Sequence, residues 1–378
     1  MAASTVSDEC AAYLQAPSFN KSFVVPATPD RGALNISYSD LGKQAANDGS
    51  SSPPVLLFMP GMHATRFQAV FLHLVAVKMG VRVLTVDRFG FGQTKNVRVD
   101  QRLSTWVEIV PLLLAHLNIP HVALASHSAG TLYLLNTLAS CRRILSPTRP
   151  YAVLFSPFVD IKHSGVKLLQ AAQLIPNAAI GYFDTLTKSL DAYVGPVVGS
   201  SISIMDKWFS SEEQPNPARA ATRARWENEY GVSSEFLNNI GEACFRAGMA
   251  ENSEGLNDET RLCLKKGCTW DACDDYDELV KTLTAREVAA ASPARLRVKI
   301  LFAQQDAMIG ERGARYMKDC WERNCGPETG RVIDLCTKTV DGTDHDSLCT
   351  KLVALEEVMR DVLGQDEAAE SEASHRVE

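Results

Sequence analysis

The pentapeptide Ser126-His127-Ser128-Ala129-Gly130 constrains the fold of this chain more than any other feature, because it joins a strand-like run to a helical run. A strand that turns sharply into a helix strains its middle residue, and the residues two positions away on either side must be small. Ser126 and Gly130 meet that requirement, so the pattern predicts a tight turn that exposes Ser128. The helix that follows would direct its N-terminal amides and positive dipole end at an anion formed beside Ser128.

Apolar strand-like runs alternate with amphipathic helical runs on both sides of this turn. Such alternation is typical of an α/β fold, in which helices cover both faces of a mostly parallel sheet. An opening antiparallel pair of strands is predicted at 22–27 and 33–41. Further strands are predicted at 55–59, 81–86, 121–125, 151–156, 298–303 and 332–340. Helices between them are predicted at 67–79, 103–117, 129–140, 313–324 and 346–363.

The regular alternation stops near Asp160 and resumes only at Val298. We therefore predict a large, mainly helical insertion that forms a cap above the carboxyl edge of the sheet. Its helices are predicted at 166–174, 183–190, 202–209, 218–230 and 233–247. The predicted division is an N-terminal segment at 1–21, a core at 22–160 and 293–364, a cap at 161–292 and a disordered acidic tail at 365–378. Apolar side chains of the cap pack the cap itself or line an apolar pocket.

Composition limits the classes of partner. The chain has 378 residues, 46% of them hydrophobic, and a formal net charge of -7. The absence of a basic cluster argues against nucleic acid or an anionic membrane as the main partner, which favours a small-molecule substrate. The N-terminus lacks a secretory pattern, and no run approaches the roughly 18 apolar residues of a spanning helix, so a soluble cytoplasmic protein is expected.

Neither a metal nor a cofactor is expected from the sequence. The ten cysteines are predicted to be thiols, and the spacing of Cys263, Cys268 and Cys273 is wider than that of most zinc ligand pairs. We expect these cysteines, with Cys320 and Cys325, to pack in the core. The glycine-rich run 87–94 matches neither a dinucleotide fingerprint nor a phosphate-binding loop. It is instead predicted to form a tight loop whose backbone is tied by the side chain of its first aspartate.

A serine hydroxyl becomes a good nucleophile only with a base within reach and an acid that orients the base. Five of the eight histidines fall in predicted helices, at a strand start, at the start of the insertion or in the tail: His73, His116, His121, His163 and His375. His63 and His127 lie near Ser128 in sequence patterns that direct them elsewhere. His345 remains, after the last predicted strand, and is the predicted base. Its alternative role is that of a surface histidine flanked by acids at a helix start.

The acid should follow a neighbouring strand at the same sheet edge. Asp306 follows the strand at 298–303 and is preferred, while Asp160 is the competing candidate. An alternative role for Asp306 is that of a turn or N-cap residue. An oxyanion forms when Ser128 attacks a carbonyl group. Two backbone N–H groups are expected to bind this oxyanion, those of Ala129 and Met62. Met62 belongs to the loop Pro60-Gly61-Met62-His63, which could also be an ordinary glycine turn.

Four motifs resemble those of alpha/beta-hydrolase-fold serine hydrolases and follow the family's chain order of serine, aspartate and histidine. They are Ser126-His127-Ser128-Ala129-Gly130, Asp87-Arg88-Phe89-Gly90-Phe91-Gly92, Gln304-Gln305-Asp306 and Asp344-His345-Asp346. The resemblance covers about 22–160 and 297–364. This chain has Pro60 where the family usually has histidine, and Ser126 where it usually has glycine. The first difference lies in the loop expected to bind the oxyanion.

The resemblance implies the fold and a catalytic triad of Ser128, His345 and Asp306, but it does not imply the substrate. Epoxide hydrolases and haloalkane dehalogenases of this fold use an aspartate nucleophile, so Ser128 argues against both. The expected function is cleavage of an ester or related acyl bond in a small lipophilic substrate. The alternatives are an acyltransferase or carbon-carbon bond hydrolase that uses the same triad, and a ligand-binding member without catalysis.

Overall fold

The computed structural model describes residues 8–29, 31–45, 52–174, 217–291, 294–325 and 332–365. Within these ranges an eight-stranded sheet has the order β1-β2-β4-β3-β5-β6-β7-β8. The strands are β1 (Lys21–Val25), β2 (Leu34–Gly42), β3 (Val55–Met59), β4 (Arg82–Val86), β5 (Ala123–His127), β6 (Tyr151–Phe155), β7 (Leu296–Gln305) and β8 (Ile333–Asp344). Strands β3 to β8 are parallel to one another, and β1 and β2 form the antiparallel end of the sheet.

Twelve α-helices occur in the described ranges. They are α1 (Asp8–Leu14), α2 (Val70–Met79), α3 (Arg102–His116), α4 (Gly130–Ser140), α5 (Ile161–Ser164), α6 (Lys167–Ala172), α7 (Pro217–Tyr230), α8 (Ser234–Ala250), α9 (Gly255–Cys263), α10 (Tyr276–Ala290), α11 (Gly310–Asn324) and α12 (Leu352–Leu363). None of them is both long and apolar enough to cross a lipid bilayer.

Two apolar clusters hold the helices against the sheet. One cluster contains buried side chains of α3, α4, α10 and α11, and the other contains those of α1, α2, α8 and α12. Every residue of β3 and β6 is buried, which explains why these strands are continuously apolar in sequence instead of alternating. The predicted mostly parallel sheet with helices on both faces is therefore confirmed.

Part of the predicted cap lies within the described residues. The helices predicted at 183–190 and 202–209, and the tail from 366 onwards, lie outside the described residues. Helices α7 to α10 lie inside the predicted insertion, and α8 and α10 contribute to the two apolar clusters described above. The boundaries of the cap remain predictions.

Several element boundaries differ from the predicted ones. Strand β5 ends at His127 instead of residue 125, because Ser126 and His127 continue the ladder with Leu154 and Phe155. Strand β8 extends to Asp344 instead of residue 340. The helix predicted at 67–79 begins with a 3-10 turn at Arg66–Ala69, and the one predicted at 346–363 is a 3-10 turn at Ser347–Thr350 followed by α12.

The spaced cysteines pack as expected. Cys263, Cys273, Cys320 and Cys325 are buried and Cys268 is half-buried. No disulfide bond joins the cysteines in the described part of the chain.

Candidate active site

The turn between β5 and α4 holds Ser128 in a strained conformation. Its φ of 49° lies in the left-handed region, which is unfavourable for a residue with a Cβ atom. The Ser128 N–H donates to the carbonyl of Phe155 at 3.1 Å, and its carbonyl accepts from the N–H of Thr131 at 2.9 Å. These bonds fix the turn, so the side chain of Ser128 projects from the carboxyl end of β5.

Both small flanking residues of the pentapeptide are tightly enclosed. A Cβ atom at Gly130 would lie 2.0 Å from the carbonyl oxygen of Met59 and 2.7 Å from that of Pro60, so helix α4 can start under β3 only with glycine there. Ser126 is fully buried, and its Oγ has no hydrogen-bond partner within the described ranges. The requirement for small residues predicted from the sequence is thus met at both positions.

Three predicted side chains meet at the carboxyl edge of the sheet. The Nε2 atom of His345 lies 2.8 Å from the Oγ of Ser128. The Nδ1 atom of His345 lies 2.9 and 2.8 Å from the two carboxylate oxygens of Asp306. Asp306 follows β7 and His345 follows β8, and these strands are adjacent and parallel, so both residues leave the sheet at the same edge.

The carboxylate of Asp306 is fixed by backbone groups as well as by the imidazole. Its Oδ1 accepts from the N–H groups of Met308 and Ile309, each at 2.9 Å. Asp306 therefore also fills the turn role that was its alternative in the sequence. The two roles are compatible, because the same carboxylate orients the ring of His345.

Charge and burial act in opposite directions on this pair. Burial lowers the pKa of His345, but the charge of Asp306, with those of Asp346 and Asp344, outweighs burial and raises that pKa above its ordinary value. Burial raises the pKa of Asp306, but the imidazole of His345 and the two backbone N–H groups outweigh it and lower that pKa. Asp306 is thus ionised at neutral pH beside a basic imidazole.

Asp160, the competing acid, has other partners. Its Oδ1 caps helix α5 by accepting from the N–H of Lys162 at 3.2 Å. Its Oδ2 forms ion pairs with Lys265 at 3.1 Å and Lys162 at 3.4 Å. The structure therefore assigns Asp160 to helix capping and ion pairing, and Asp306 to the histidine.

A pocket opens beside Ser128 and His345, with a cavity volume of about 150 Å³. Most of its walls are apolar. Large apolar side chains of the core and of α8 that line it are Phe58, Met62, Val70, Phe71, Phe245 and Met308. Most of the apolar residues of the predicted cap, which were expected to pack the cap itself or to line a pocket, lie outside the described residues. Among the side chains named above, Met62 alone was a predicted site residue.

The two predicted oxyanion residues are part of the same site. Ala129 directly follows Ser128 and precedes helix α4, and Met62 lines the pocket. A Cβ atom at Gly61 would lie 3.4 Å from the Cβ of Ser128, so the loop at 60–63 lies against Ser128. The roles of the Ala129 and Met62 N–H groups remain predictions.

His63 and His127 were expected to be directed elsewhere, but both line the pocket. The Nε2 of His127 lies 2.9 Å from the carbonyl oxygen of His345, because β5 continues through His127 to the sheet edge. The Nε2 of His63 lies 3.1 Å from the Oγ1 of Thr260. Burial lowers the pKa of His63 to about 4, so this ring is neutral.

One group of possible metal ligands occurs among the described residues. Ligand atoms of His127, His345 and Asp346 lie within 4.8 Å of one another. Both ring nitrogens of His345 are already bonded, to Asp306 and Ser128, and His127 bonds the His345 carbonyl. A metal ion could bind there only if these hydrogen bonds were broken.

Two further residues near the pocket were not predicted from the sequence. They are the buried Arg88, which bonds the loop at 60–64, and its partner Glu259 in α9. Arg88 lies inside one of the four motifs, which was its only sign in the sequence. Glu259 has no motif around it.

The carboxylate of Asp87, the first residue of the glycine-rich run, was predicted to tie the backbone of that run, but its hydrogen-bond partners are Arg66 and Ser37, which lie outside the run. Its Oδ1 accepts from the N–H of Arg66 at 2.7 Å, and its Oδ2 accepts from the guanidinium of Arg66 and the hydroxyl of Ser37, both at 2.6 Å. Gly92 has a positive φ, and a Cβ atom there would lie 2.2 Å from that Oδ2. The loop therefore needs glycine to pass beside the carboxylate.

Comparison with known proteins gives structural but not sequence relatives. No protein-family model and no curated protein matches the chain. Many solved structures resemble it, and three of them are matched over nearly their whole length. They are the epoxide hydrolase VrEH1 from Vigna radiata (14% identity, TM-score 0.50, covering 92% of this chain and 98% of that chain), the alpha/beta hydrolase MGS-M2 from a Medee basin deep-sea metagenome library (14%, 0.51, 91% and 98%) and the haloalkane dehalogenase DbeA from Bradyrhizobium elkani USDA94 (12%, 0.51, 92% and 99%). Similarity at such low identity is evidence for the fold alone. The sheet order and the strand-turn-helix at Ser128 agree with that evidence, and the chain has the alpha/beta-hydrolase fold.

Proposed function

We propose that this protein is a serine hydrolase that cleaves an ester or related acyl bond of a small lipophilic substrate. The observation that carries the proposal is the hydrogen-bonded series from Asp306 through His345 to Ser128 at the pocket. This arrangement is the one that activates a hydroxyl for attack on a carbonyl carbon.

In the first half of the reaction, the Oγ of Ser128 attacks the substrate carbonyl while the Nε2 of His345 takes its proton. Asp306 stabilises the imidazolium that results. The N–H groups of Ala129 and Met62 donate to the oxyanion of the tetrahedral intermediate. The intermediate collapses when the carbon-oxygen bond to the alcohol breaks and His345 returns the proton to that alcohol, which leaves an acyl group on Ser128.

In the second half, a water molecule attacks the acyl carbon and His345 accepts its proton. The second tetrahedral intermediate expels Ser128, which recovers its proton from His345, and the free acid is released. The enzyme returns to its starting state, so the reaction consumes one water and yields one alcohol and one acid.

The identity of the nucleophile favours acyl chemistry among the reactions of this fold. Two of the structurally similar proteins are an epoxide hydrolase and a haloalkane dehalogenase. Enzymes of those two types use an aspartate where this chain has Ser128, as the family resemblance implies. The apolar walls formed by residues such as Phe71 and Phe245 favour a lipophilic acyl or alcohol group.

The proposal is tested by hydrolysis of a chromogenic ester by the wild-type protein and by Ser128→Ala. The variant should lose turnover by a factor of about 10⁶, since a missing nucleophile removes the acyl-enzyme pathway. Ser126→Ala is the matched control, because it removes a hydroxyl two residues away that is buried in the strand. Undiminished turnover by Ser128→Ala would contradict the proposal.

A further inference from the structure

Arg88 lies behind the loop that carries Met62. It follows β4, and its guanidinium is almost completely buried. Its Nη1 donates to the carbonyl of Pro60 at 2.5 Å, and its Nη2 donates to the carbonyl of Gly61 and, at 3.5 Å, to that of Ala64. One planar side chain thus holds the carbonyl groups of two successive residues, Pro60 and Gly61, in this loop.

The bond to Gly61 has a consequence for Met62. The Gly61 carbonyl and the Met62 N–H belong to one trans peptide, in which the two groups point in opposite directions. When Arg88 fixes the carbonyl, it therefore fixes the N–H on the opposite side. A charged donor on the carbonyl oxygen also polarises the peptide and makes its N–H a stronger donor.

Arg88 is itself anchored by a carboxylate from α9. Glu259 is fully buried, and its Oε2 lies 3.0 Å from the Nε of Arg88, as an ion pair without hydrogen-bond alignment. Its Oε1 accepts from Arg102 at 2.7 Å and from the hydroxyl of Tyr133. Burial raises the pKa of Glu259, but the charges of Arg88 and Arg102 outweigh burial and lower it. The carboxylate is therefore ionised.

This buried cluster carries an excess of positive charge. Two guanidinium groups, of Arg88 and Arg102, face one carboxylate, that of Glu259. Of the two guanidinium groups, that of Arg88 contacts the loop at 60–64, while that of Arg102 bonds the Phe89 carbonyl and Asn96. The guanidinium of Arg88 therefore lies on the carbonyl side of the Gly61–Met62 peptide, and the Met62 N–H points to the opposite side. A positive charge in this place favours an anion near that N–H.

Helix α9 contacts the same region at two further points. The residue after Glu259, Thr260, lies 3.1 Å from the ring of His63 in the pocket wall. The N–H of Gly255 donates to the carbonyl of Gly90 at 3.0 Å, two residues beyond Arg88. The helix, the arginine loop and the loop at 60–64 therefore form one connected unit around the pocket.

We infer that Arg88, anchored by Glu259, is a positioning residue that orients and polarises the Gly61–Met62 peptide for binding the oxyanion. The inference rests on the function proposed above. Arg88 should stabilise the transition state and not the bound substrate, because the oxyanion exists only after Ser128 attacks.

The test compares Arg88→Gln with Arg102→Gln. Both variants remove a buried guanidinium that pairs with Glu259, so their cost in stability should be similar, but only Arg88 contacts the loop at 60–64. In Arg88→Gln, kcat for a chromogenic ester should fall about 100-fold, close to the loss of one oxyanion donor, while KM stays within about three-fold. Arg102→Gln should keep kcat within about three-fold of wild type.

A second measurement reports the oxyanion directly. A trifluoromethyl ketone forms a hemiketal oxyanion with an activated serine, so Arg88→Gln should bind it about 100-fold more weakly, and Arg102→Gln should bind it as the wild type does. Circular dichroism and thermal unfolding identify variants that do not fold. If Arg88→Gln is unfolded, Arg88→Lys replaces it, since lysine keeps the charge opposite Glu259 and loses the planar fork.

The results separate the inference from the proposed function. Equal kcat losses in Arg88→Gln and Arg102→Gln, or unchanged ketone affinity in a folded Arg88 variant, would overturn the inference while the wild type remains an active hydrolase. A wild-type protein that neither hydrolyses esters nor binds the ketone would overturn the proposed function, and the role of Arg88 would fall with it.

Discussion

The Nε2 atom of His345 lies 2.8 Å from the Oγ of Ser128, although 217 residues separate the two in sequence. The fold produces this contact because both residues follow parallel strands, β5 and β8, at the carboxyl edge of one sheet. The other ring nitrogen of His345 faces Asp306. Hydrogen bonds thus connect Asp306, His345 and Ser128 in one series, which is the arrangement that the proposed function requires.

The first prediction concerns pH. His345 must be neutral to accept the proton of Ser128, and its pKa is raised above the ordinary value of 6.5. We expect kcat/KM for an uncharged ester to rise with pH through an apparent pKa above 6.5. In Asp306→Asn the negative charge is lost, so this midpoint should move to lower pH, and kcat should fall about 10⁴-fold as the imidazole loses its orienting partner.

Asp160→Asn is the control for that pH profile, because Asp160 was the competing acid and its carboxylate is paired with Lys162 and Lys265. It should keep the wild-type midpoint. A midpoint that moves in Asp160→Asn and not in Asp306→Asn would contradict the assignment of the acid.

The second prediction concerns the close approach at Gly130. In Gly130→Ala the added methyl group would meet the carbonyl oxygens of Met59 and Pro60 at 2.0 and 2.7 Å, and backbone atoms must move. We expect the free energy of unfolding, measured by urea denaturation, to fall by about 3 kcal/mol. Gly32→Ala, where no atom lies within 4 Å of the added Cβ, should change it by less than about 0.5 kcal/mol. Equal stability of the two variants would show that the turn at Gly130 is not tightly packed.

The third prediction concerns Ser126, whose hydroxyl is buried without a partner in the described ranges. Ser126→Ala removes a polar group that lost its water on folding, so the variant should be about 1 kcal/mol more stable than the wild type. The contrasting variant is Ser37→Ala, since the Ser37 hydroxyl donates to Asp87 at 2.6 Å and its loss should destabilise the protein. Thermal unfolding measures both changes, and a destabilised Ser126→Ala would indicate a hidden partner.

The fourth prediction concerns the acyl group. Phe245 of α8 lines the apolar pocket, so Phe245→Ala should enlarge it and move the preferred acyl chain of an ester series to greater length. The wild-type optimum should lie beyond acetyl. Phe23→Ala is the control and should leave the preference unchanged, because Phe23 lies in β1 and its ring contacts that of His116 in α3, with 4.6 Å between the ring centroids. A wild-type preference for acetyl esters would contradict the proposal of a lipophilic substrate.

Much of the fold follows from local patterns in the sequence. Strands buried on both faces, such as Val55–Met59, are continuously apolar, and this run was predicted with its observed bounds. The end of β5 was misplaced because Ser126 and His127 are polar residues in a strand that is buried from Leu124 onwards. Polar residues normally indicate the end of a buried strand, but in this chain Ser126 and His127 continue the strand up to the turn at Ser128.

The positions of Ser128, Asp306 and His345 were predictable, because each of these residues follows a predicted strand and the three occur in the chain order of the family that the sequence resembles. A contact was not predictable where it depends on packing between distant segments. Glu259 and Arg102 are 157 residues apart, and nothing near Glu259 in the sequence indicates a buried ion pair. The same holds for Phe245, which reaches the pocket only because α8 packs against the core.

The most direct test of the central claim is to find which residue a fluorophosphonate modifies. The reagent reacts with a serine whose hydroxyl has been activated by a base, so peptide mass mapping should find the adduct on Ser128. Labelling should disappear in Ser128→Ala and become far slower in His345→Ala, while Ser126→Ala is labelled like the wild type. An adduct on another residue, or undiminished labelling of His345→Ala, would contradict the account.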